Sequence, residues 1–567
     1  MSEQTIMATG NSAVDEQRNK SETQGQPSQC QPDTRFNKMD VWIPGKDASI
    51  SDSAASIYVQ ELNHGEMYRY GGAVSIIDRT GHRPTIVPLS SAAAQSRFEK
   101  YVNFWVSSKY GESRAILSDR LAGAILESEA RQQLPALNTL VDWPFLVVRD
   151  GKLVSLSPGY NPIEGIYVTS GKPVESMSLD EAVRMIRDVL LGEFCFLSES
   201  DRSRAIAAVL SPAMAIGRLI KGFTAPTAFE ASESQTGKGT LVSCIEGANG
   251  EDGCYISKRN GGVGSFDESI DGALISGRPI LVIDNLRGSL NSESLESIIT
   301  KARHKARTPY RSYVDVDTTR FCLFITSNGA EFSPDMANRI SVVRLRKRKT
   351  DFQFSRYPEG LINRHAAANT HRFLGAIHTV IRAWYEKGQP QTDETRHSFL
   401  GWAQSMDWIV QTIFKGAPLM DDHVGIRDRL CRPGLGFVRL ISVAVEASGK
   451  LGEDLRAQDL FNLAEERQVD IPNTTNRFYD DDGKGARQVG RVLARAFGDA
   501  DKIELEEYTV VRQQMDATEV CHHSTKTYRI TRIPEPAAPP GIEVIVDPAT
   551  TTTSGMPPVP GSVALTA

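Results

Sequence analysis

The stretch Gln235-Thr236-Gly237-Lys238-Gly239-Thr240 decides the fold that we expect for this chain. Glycines beside a lysine allow backbone N–H groups to wrap around a phosphate while the ammonium offsets its charge. We predict that this stretch, together with Ser234, binds the phosphates of ATP. A plain loop in front of a helix is the alternative interpretation.

Two residues of this loop are expected to carry its chemistry. Lys238 is predicted to reach the β- and γ-phosphates, and the hydroxyl of Thr240 to serve the shell of a Mg²⁺ ion. The standard pattern is G-x-x-x-x-G-K-[ST], whereas this chain has Ser232 at the first glycine position and Gly239 at the Ser/Thr position. The match is therefore imperfect, and it is closest to the Gly-Lys-Gly-Thr form of adenylate-kinase-like loops.

Two apolar strands downstream end in polar groups that suit the same ligand. The first, 279–284, ends in the carboxylate of Asp284, and the second, 321–328, ends in the amide of Asn328. Parallel strands that end at one edge of a sheet bring such groups together. We expect Asp284 to hold Mg²⁺ through water, and Asn328 to bind the γ-phosphate or to position the attacking water. Ordinary strand ends are the alternative.

Asn285 stands where many ring ATPases carry a glutamate that activates water. A neutral amide cannot usefully accept a proton, although it can orient a water molecule. ATP binding therefore follows from the pattern more directly than hydrolysis does. Asp267 and Glu268 are alternative bases, or else solvated acids at the start of a helix.

Basic residues in the same region are candidates for contact with a neighbouring subunit's nucleotide and with a nucleic acid backbone. Arg339 precedes the last core strand, where an arginine at a subunit edge can reach a neighbour's γ-phosphate, with a surface salt bridge as the alternative. The densest basic run contains Lys301, Arg303, Lys305, Arg307 and Arg311. In a ring of subunits such a run would line the channel and follow a phosphate backbone regardless of sequence. For a second run, 344–349, we expect a solvated face.

Composition bounds the kind of protein. The chain has 567 residues, enough for several domains of roughly 150 residues. A net charge of −6 gives no global basic footprint, so any nucleic acid contact is expected to be local. Seven cysteines without a Cys-x-x-Cys pair argue against a disulfide framework and a zinc site. No apolar run reaches the roughly 18 residues of a membrane span and no secretion signal is seen, so we expect a cytoplasmic protein.

The order of the patterns predicts six regions. Polar tails at 1–40 and 534–567 are expected to be disordered. Between them we expect a small N-terminal α/β accessory domain at 41–175, with an Asp150-Gly151 hairpin signal and no assigned role. An α/β core follows at 176–350, where alternating helices and strands indicate a parallel sheet. A helical lid at 351–450 and a winged-helix-like domain at 451–533 complete the order.

Further residues carry a resemblance to a known family. They are Trp143-Pro144, Asp150-Gly151 and Pro158-Gly-Tyr-Asn-Pro162 ahead of the core, and within it Ala225-Pro226, the Lys238 loop, Asp284-Asn285, Thr300, Arg307, Thr326-Ser327-Asn328-Gly329 and Asp335-Met-Ala-Asn338-Arg339. With these, the chain resembles the replicative helicase-like ATPases of bacteriophages and integrated elements. These are AAA+-like P-loop proteins related to superfamily 3 and to poxvirus-type primase-helicase ATPases. The likeness spans about 110 to 530.

The chain departs from the family pattern at several positions. These are Ser232 and Gly239 in the loop, Gly329 in place of a second asparagine, and Asn338 in place of a first arginine. The departures bear on the rate of ATP hydrolysis more than on the fold. An Asp-Asn pair at the strand end is usual in the family, so Asn285 fits the resemblance.

The resemblance implies a hexameric ring that couples ATP hydrolysis at subunit interfaces to movement along single-stranded or forked DNA during replication. It implies Lys238, Asp284, Asn285 and Asn328 as site residues in one subunit and Arg339 as a residue supplied by the next. No primase signature precedes the core, so a primase would be a separate partner. Two other functions remain open at this point: an ATP-binding assembly module with little hydrolysis, which Asn285 permits, and a nucleotide kinase.

Overall fold

The structure is a computed structural model that describes residues 38–43, 49–64, 67–231, 235–256, 265–286, 289–290, 292–308, 313–327, 330–348, 351–431, 433–469, 471, 484–498, 500–505, 507–515 and 525–533. In these residues no helix is both long enough and apolar enough to cross a membrane. Both predicted tails lie outside this range, except that residues 38–40 are described and Met39 begins a strand.

The N-terminal part is a mixture of helices and short sheets. Its elements are α1 (Ile50–His64), α2 (Ser91–Tyr101) and α3 (Asp119–Glu127), with strands β1 (Met39–Trp42), β2 (Met67–Tyr70), β3 (Ala73–Asp78), β4 (Thr85–Pro88), β5 (Val102–Ser108), β6 (Gly111–Arg114), β7 (Ala136–Leu137), β8 (Thr139–Val141), β9 (Leu146–Arg149), β10 (Lys152–Ser155), β11 (Gly159–Asn161) and β12 (Ile166–Val168). The larger sheet has the strand order β4-β3-β2-β7. The three helices bury Tyr58, Phe98 and Ile125 in a core of their own.

The predicted Asp-Gly hairpin is confirmed. Strands β9 and β10 pair antiparallel, with Arg149 opposite Lys152. Asp150 and Gly151 both adopt positive φ, at 50° and 72°. A two-residue turn with this backbone matches the twist of the flanking strands, which is why Asp-Gly is such a strong local signal.

The central part is a mixed α/β unit around a parallel sheet, as predicted. Its helices are α4 (Leu179–Arg184), which continues as a π-helical turn (Met185–Leu190), α5 (Glu199–Ile216), α6 (Lys238–Asn249), α7 (Phe266–Ile275), α8 (Glu293–Ile298) and α9 (Pro334–Ala337), and its strands are β13 (Thr227–Glu230), β14 (Cys254–Ile256), β15 (Ile280–Leu286), β16 (Ser289–Leu290), β17 (Arg303–Ala306), β18 (Val314–Asp317), β19 (Cys322–Ser327), β20 (Glu331–Phe332) and β21 (Ser341–Arg344). The main sheet has the order β14-β15-β19-β13-β21, and every neighbouring pair is parallel.

Both faces of this sheet are covered. Phe229 and Phe324 point to one side, where α5, α6 and later helices complete the core. Ala228 and Ile325 point to the other side, which packs on α7, α8 and strand β2 of the N-terminal part. Strands buried on both faces read as continuous apolar runs, and this accounts for the sequence of β15 and β19.

A buried charge network also fastens the N-terminal part to the core. Arg278, two residues before β15, donates to Asp142 at 2.6 Å, and Arg83 donates to the same carboxylate at 2.7 Å. Glu251, which follows α6, lies 3.5 Å from Arg278. Burial raises the pKa of Glu251 to about 7, although Arg278 acts in the opposite sense.

Four helices follow the sheet, where a lid was predicted: α10 (Ile362–Ala368), α11 (Thr370–Glu386), α12 (Leu400–Thr412) and α13 (His423–Cys431). The first two are separated at Asn369, whose side chain donates to Glu359 and to the carbonyl of His365. The hydroxyl of Thr370 donates to the carbonyl of Gly247 at 2.8 Å, which ties this layer to α6.

The C-terminal part combines helices with an antiparallel sheet. Its elements are α14 (Pro433–Ala447), β22 (Asp454–Arg456), α15 (Ala457–Glu466), α16 (Lys484–Phe497), β23 (Lys502–Glu504), β24 (Tyr508–Met515) and β25 (Thr525–Arg532). The sheet order is β22-β25-β24-β23. Phe437 of α14 shares a core with Leu460, Val492 and Tyr528, so α14 packs with this unit.

We predict that two helical glycines respond oppositely to alanine. A Cβ on Gly375 of α11 would lie 2.1 Å from the carbonyl oxygen of Glu175, so Gly375→Ala should lower the free energy of unfolding by about 1 to 3 kcal/mol. A Cβ on Gly272 of α7 would meet no described atom within 4 Å, so Gly272→Ala should raise it by about 0.5 to 1 kcal/mol. Urea unfolding measures both, and a stabilised Gly375→Ala variant would contradict the packing of α11.

Candidate functional site

The loop between β13 and α6 is built to present backbone N–H groups. Gly237 precedes the helix with a φ of 89°, a conformation that glycine adopts without strain. The N–H of Leu241 makes the first bond of the helix, to the carbonyl of Gly237 at 2.8 Å. The N–H groups of Lys238, Gly239 and Thr240 precede it, where no earlier turn supplies acceptors. A helix start of this kind favours an anion.

Other loop residues are placed around this helix start. Gln235 is exposed with a φ of 61°, and Thr236 is buried. Gly239 is exposed, and a Cβ there would meet no described atom within 4 Å, so a ligand has room to approach the backbone. Ser234, which we predicted as a binding residue, lies outside the described residues.

Lys238 begins α6 at the carboxyl edge of the sheet, where acids from two strands act on it electrostatically. Its Nζ donates to the hydroxyl of Thr236 at 3.3 Å. Burial lowers the pKa of Lys238, while the carboxylates of Glu230 and Asp284 act in the opposite sense and favour the charged ammonium. The fold thus brings Lys238 and Asp284 into electrostatic contact across strands that are far apart in sequence.

Asp284 and Asn285 lie on an irregular end of β15. The register with β19 shifts between Ile283 and Leu286, and Asn285 has a φ of 52°. The buried hydroxyl of Thr326, on β19, donates to Asp284 Oδ1 at 2.5 Å and accepts from the N–H of Asn285 at 2.7 Å. One hydroxyl therefore fixes both the carboxylate and the backbone of the bulge, and it leaves the side chains of Asp284 and Asn285 exposed at the sheet edge.

Sequence reasoning missed two residues of this site. Thr326 was noticed only within a family motif, and its contact depends on a register that no local pattern reveals. Glu230, the last residue of β13, is 3% exposed and lies level with Ser327 of β19. Glu230 could have been identified in the sequence as an acidic residue at the end of a short apolar strand, just before the glycine loop. Asn328 lies outside the described residues, so its predicted role stays a prediction.

Arg339 lies away from this edge. Strands β13 and β21 are parallel, with Thr227 opposite Ser341 and Glu230 opposite Arg344. Arg339 comes two residues before Ser341, so it lies near the amino edge of the sheet. The step from the level of Ser341 to the level of Glu230 is three strand residues, or roughly 10 Å, and Arg339 lies beyond the Ser341 end of that step. Within its own chain Arg339 pairs with Asp335. The fold does not bring Arg339 to the site of its own subunit.

The first basic run forms a β-hairpin. Strands β17 and β18 pair antiparallel, with Lys305 opposite Asp315. Four basic residues of the run are exposed, namely Lys301, Arg303, Lys305 and Arg307. Arg303 and Lys305 are two residues apart in β17 and therefore lie on the same face of the hairpin. The Lys305 ammonium lies 4.7 Å from the ring centre of Tyr313, itself exposed. Arg311 lies outside the described residues.

Two arginines of the second basic run are not on the solvated face that we expected. Arg344 donates to the buried carboxylate of Asp201 at 3.0 Å. Arg348 donates to the carbonyls of Gly192 and Phe194, each at 2.9 Å. Both cations are used inside the chain, and this run contributes no obvious nucleic acid surface through them.

Comparison with known proteins finds similarity in solved structures only. No family model matches the sequence, and no curated protein matches it. Two apo A-form structures of the NrS-1 C-terminal region are similar, at 13% and 11% identity with TM-scores of 0.31 and 0.33; each match covers 84% of this chain and 99% or 98% of the other. A structure of SCCmec type IV Cch, described as an active helicase, is 15% identical with a TM-score of 0.31, and the match covers 81% of this chain and 90% of that one. Similarity at this level does not decide what this chain binds or does.

We predict that the hydrogen bonds of the Thr326 hydroxyl stabilise the fold beyond what the packing of the side chain contributes. Thr326→Val keeps the shape but leaves the Asn285 N–H and an Asp284 oxygen without their partner, so the free energy of unfolding should fall by about 1 to 3 kcal/mol. Thr326→Ser retains the hydroxyl and should lose less. Urea unfolding of the two variants measures the difference, and equal losses would show that the hydroxyl does not hold the bulge.

Proposed function

We propose that this chain is a Mg²⁺-dependent ATPase that moves along single-stranded or forked DNA as a ring of identical subunits, acting as a replicative helicase of a bacteriophage or mobile element. One observation carries the proposal. The start of α6, with Lys238, follows β13 at the carboxyl edge of a parallel sheet, where the carboxylate of Asp284 attracts the Lys238 ammonium. Parallel α/β sheets bind nucleotides at this edge.

The residues at this edge suit a triphosphate and a divalent cation. The N–H groups that begin α6, with Lys238, would hold the phosphates. Asp284 and Thr240 offer the oxygen ligands that Mg²⁺ prefers. When bound, Mg²⁺ supplies neutralising charge to the phosphate oxygens. Glu230 and Asp284 would keep Lys238 protonated, and the exposed amide of Asn285 would orient water.

An ATP-gated assembly module is the second candidate, and Asn285 is the observation that favours it. The residue that follows Asp284 on the sheet edge is an exposed amide and cannot serve as a base. ATP binding without turnover would then drive ring formation. Phosphate release distinguishes the two candidates.

We predict that single-stranded DNA stimulates ATP hydrolysis and that Lys238→Ala lowers it by at least about 100-fold, because a charge-stabilising group at the transferred phosphate is worth several kcal/mol. Lys221→Ala, at an exposed lysine just before β13, is the control and should retain activity. Phosphate release with and without DNA is the measurement. Equal ATP hydrolysis with and without DNA would contradict the proposed translocase activity. Ring formation with ATP but no phosphate release would favour the assembly module.

The position of Arg339 supports a site shared between subunits. Its backbone precedes β21 at the amino edge of the sheet, opposite the edge that carries its own phosphate loop, so we propose that it acts on a neighbouring subunit. In a closed ring with head-to-tail contacts, each interface would combine Lys238 of one subunit with Arg339 of the next.

We predict that two inactive variants complement each other. Lys238→Ala and Arg339→Ala should each be inactive alone, because every interface then lacks one group. In an equimolar mixture, about a quarter of random interfaces would combine an intact loop with an intact arginine, so activity should return. Phosphate release from the mixture measures this. If the mixture stays inactive although native gels show mixed rings, Arg339 does not act between subunits.

The basic hairpin is our candidate for contact with DNA. Lys301, Arg303, Lys305 and Arg307 are all exposed, and Tyr313 adds an exposed ring on which a base can stack. A contact of this kind follows the backbone without reading sequence.

We predict that Lys305→Ala weakens binding to single-stranded DNA and makes the slope of log affinity against log salt shallower by about 0.7 for the phosphate contact that is lost. Lys387→Ala is a matched control, since Lys387 is also exposed and lies 5.8 Å from the ring centre of Trp408. Fluorescence anisotropy over a salt series measures both. An unchanged slope for Lys305→Ala would place the DNA elsewhere.

The domain division of the chain remains part of the proposal. We propose an AAA+-like P-loop core at 176–350, a lid at 351–450 and a winged-helix-like unit at 451–533, with α14 packed onto the last. The order helix, strand, helix, helix and then three strands over α14 to β25 supports that last assignment. A separate primase or replication protein is the proposed further partner.

A further inference from the structure

The N-terminal sheet packs against the inner face of the basic hairpin. Ala306, Val314 and Val316 of the hairpin are fully buried. They share one hydrophobic cluster with Tyr68 and Tyr70 of strand β2. The face opposite the exposed cations therefore rests on a part of the chain that has no role in the nucleotide site.

The closest contact is made by the turn between β2 and β3. The carbonyl of Gly71 accepts a hydrogen bond from the N–H of Asp315 at 3.0 Å. A Cβ on Gly71 would lie 2.4 Å from Cγ1 of Val314 and 2.8 Å from both the N and the O of Asp315. Only glycine lets the two backbones approach this closely, and its φ of 54° shapes the turn.

The hairpin is held from the core side as well. The carboxylate of Asp271, on α7, bonds His304 Nε2 at 2.8 Å and accepts from the N–H of Arg307 at 2.9 Å. Asp271 fixes β17, whereas Gly71 fixes β18. The N-terminal part is fastened to the core elsewhere by Arg278 and Asp142, so loss of the Gly71 contact would free β18 without detaching the whole part.

We propose that the β2–β3 turn is a seat that fixes the position of the basic hairpin, and that the N-terminal part thereby sets how tightly the chain engages single-stranded DNA. The effect on DNA rests on the proposed function of the hairpin, whereas the seat itself rests only on the contacts of Gly71. Gly71 acts as a positioning residue, because it touches neither ATP nor DNA in this account.

The adjacent glycine supplies a matched control. Gly72 also has a positive φ, 88°, but a Cβ there would meet no described atom within 4 Å. Gly71→Ala and Gly72→Ala therefore both strain the same turn, and only Gly71→Ala pushes β18 away. Val314→Ala loosens the same contact from the hairpin side and serves if Gly71→Ala does not fold.

Hydrogen exchange of the Asp315 amide in the full chain tests the seat directly. We expect exchange about tenfold faster in Gly71→Ala and Val314→Ala than in Gly72→Ala, because this amide loses its acceptor or its support. Equal exchange in Gly71→Ala and Gly72→Ala, or unchanged exchange in Val314→Ala where Gly71→Ala does not fold, would overturn the seat.

ATP turnover at increasing concentrations of single-stranded DNA tests the consequence. For Gly71→Ala we expect the half-saturating DNA concentration to rise about tenfold while turnover without DNA stays within about twofold, a split that general destabilisation would not produce. An unchanged half-saturating concentration in Gly71→Ala would overturn the link from the seat to DNA. If Lys305→Ala leaves DNA binding unchanged, the proposed function of the hairpin fails. Hydrogen exchange of the Asp315 amide would still test whether the β2–β3 turn fixes the position of the hairpin.

Discussion

The electrostatic attraction between the ammonium of Lys238 and the carboxylates of Glu230 and Asp284 is the interaction on which the candidate site depends. Partial burial of a lysine costs free energy, and two acids on the same sheet edge repel each other. The attraction between the ammonium and the two carboxylates offsets part of these costs, although burial still lowers the pKa of Lys238. A triphosphate arriving there would add negative charge beside both acids, so a cation held at Asp284 would be required to balance it.

This arrangement exists because of the strand order. Strand β19 lies between β13 and β15, so the acids that end those two strands flank it, and Thr326 of β19 can fix Asp284 from within the sheet. Helical layers and the N-terminal strands cover both faces and hold the register. The hairpin of β17 and β18 is followed by a single 3-10 turn, Thr318–Arg320, and then by β19, so the exposed cations precede the amino end of the strand whose carboxyl end carries Thr326.

Much of this was accessible from sequence, for identifiable reasons. The parallel sheet follows from continuous apolar runs that alternate with helices, and the Asp150-Gly151 turn from its need for positive φ. Lys238 and Asp284 were predicted as site residues because each occupies a defined place beside a glycine loop or at a strand end. Glu230, the bond from Thr326 to Asp284 and the seat at Gly71 depend on register and close approach between distant segments. The hydrogen bonds that Arg344 and Arg348 make within the chain likewise depend on partners that are distant in sequence, such as Asp201.

A structure of the chain with Mg²⁺ and a non-hydrolysable ATP analogue tests the central claim most directly. We predict that the phosphates lie against the N–H groups of Lys238, Gly239 and Thr240, with the cation beside Asp284. A nucleotide bound at any other place, or phosphates that leave the start of α6 untouched, would contradict it.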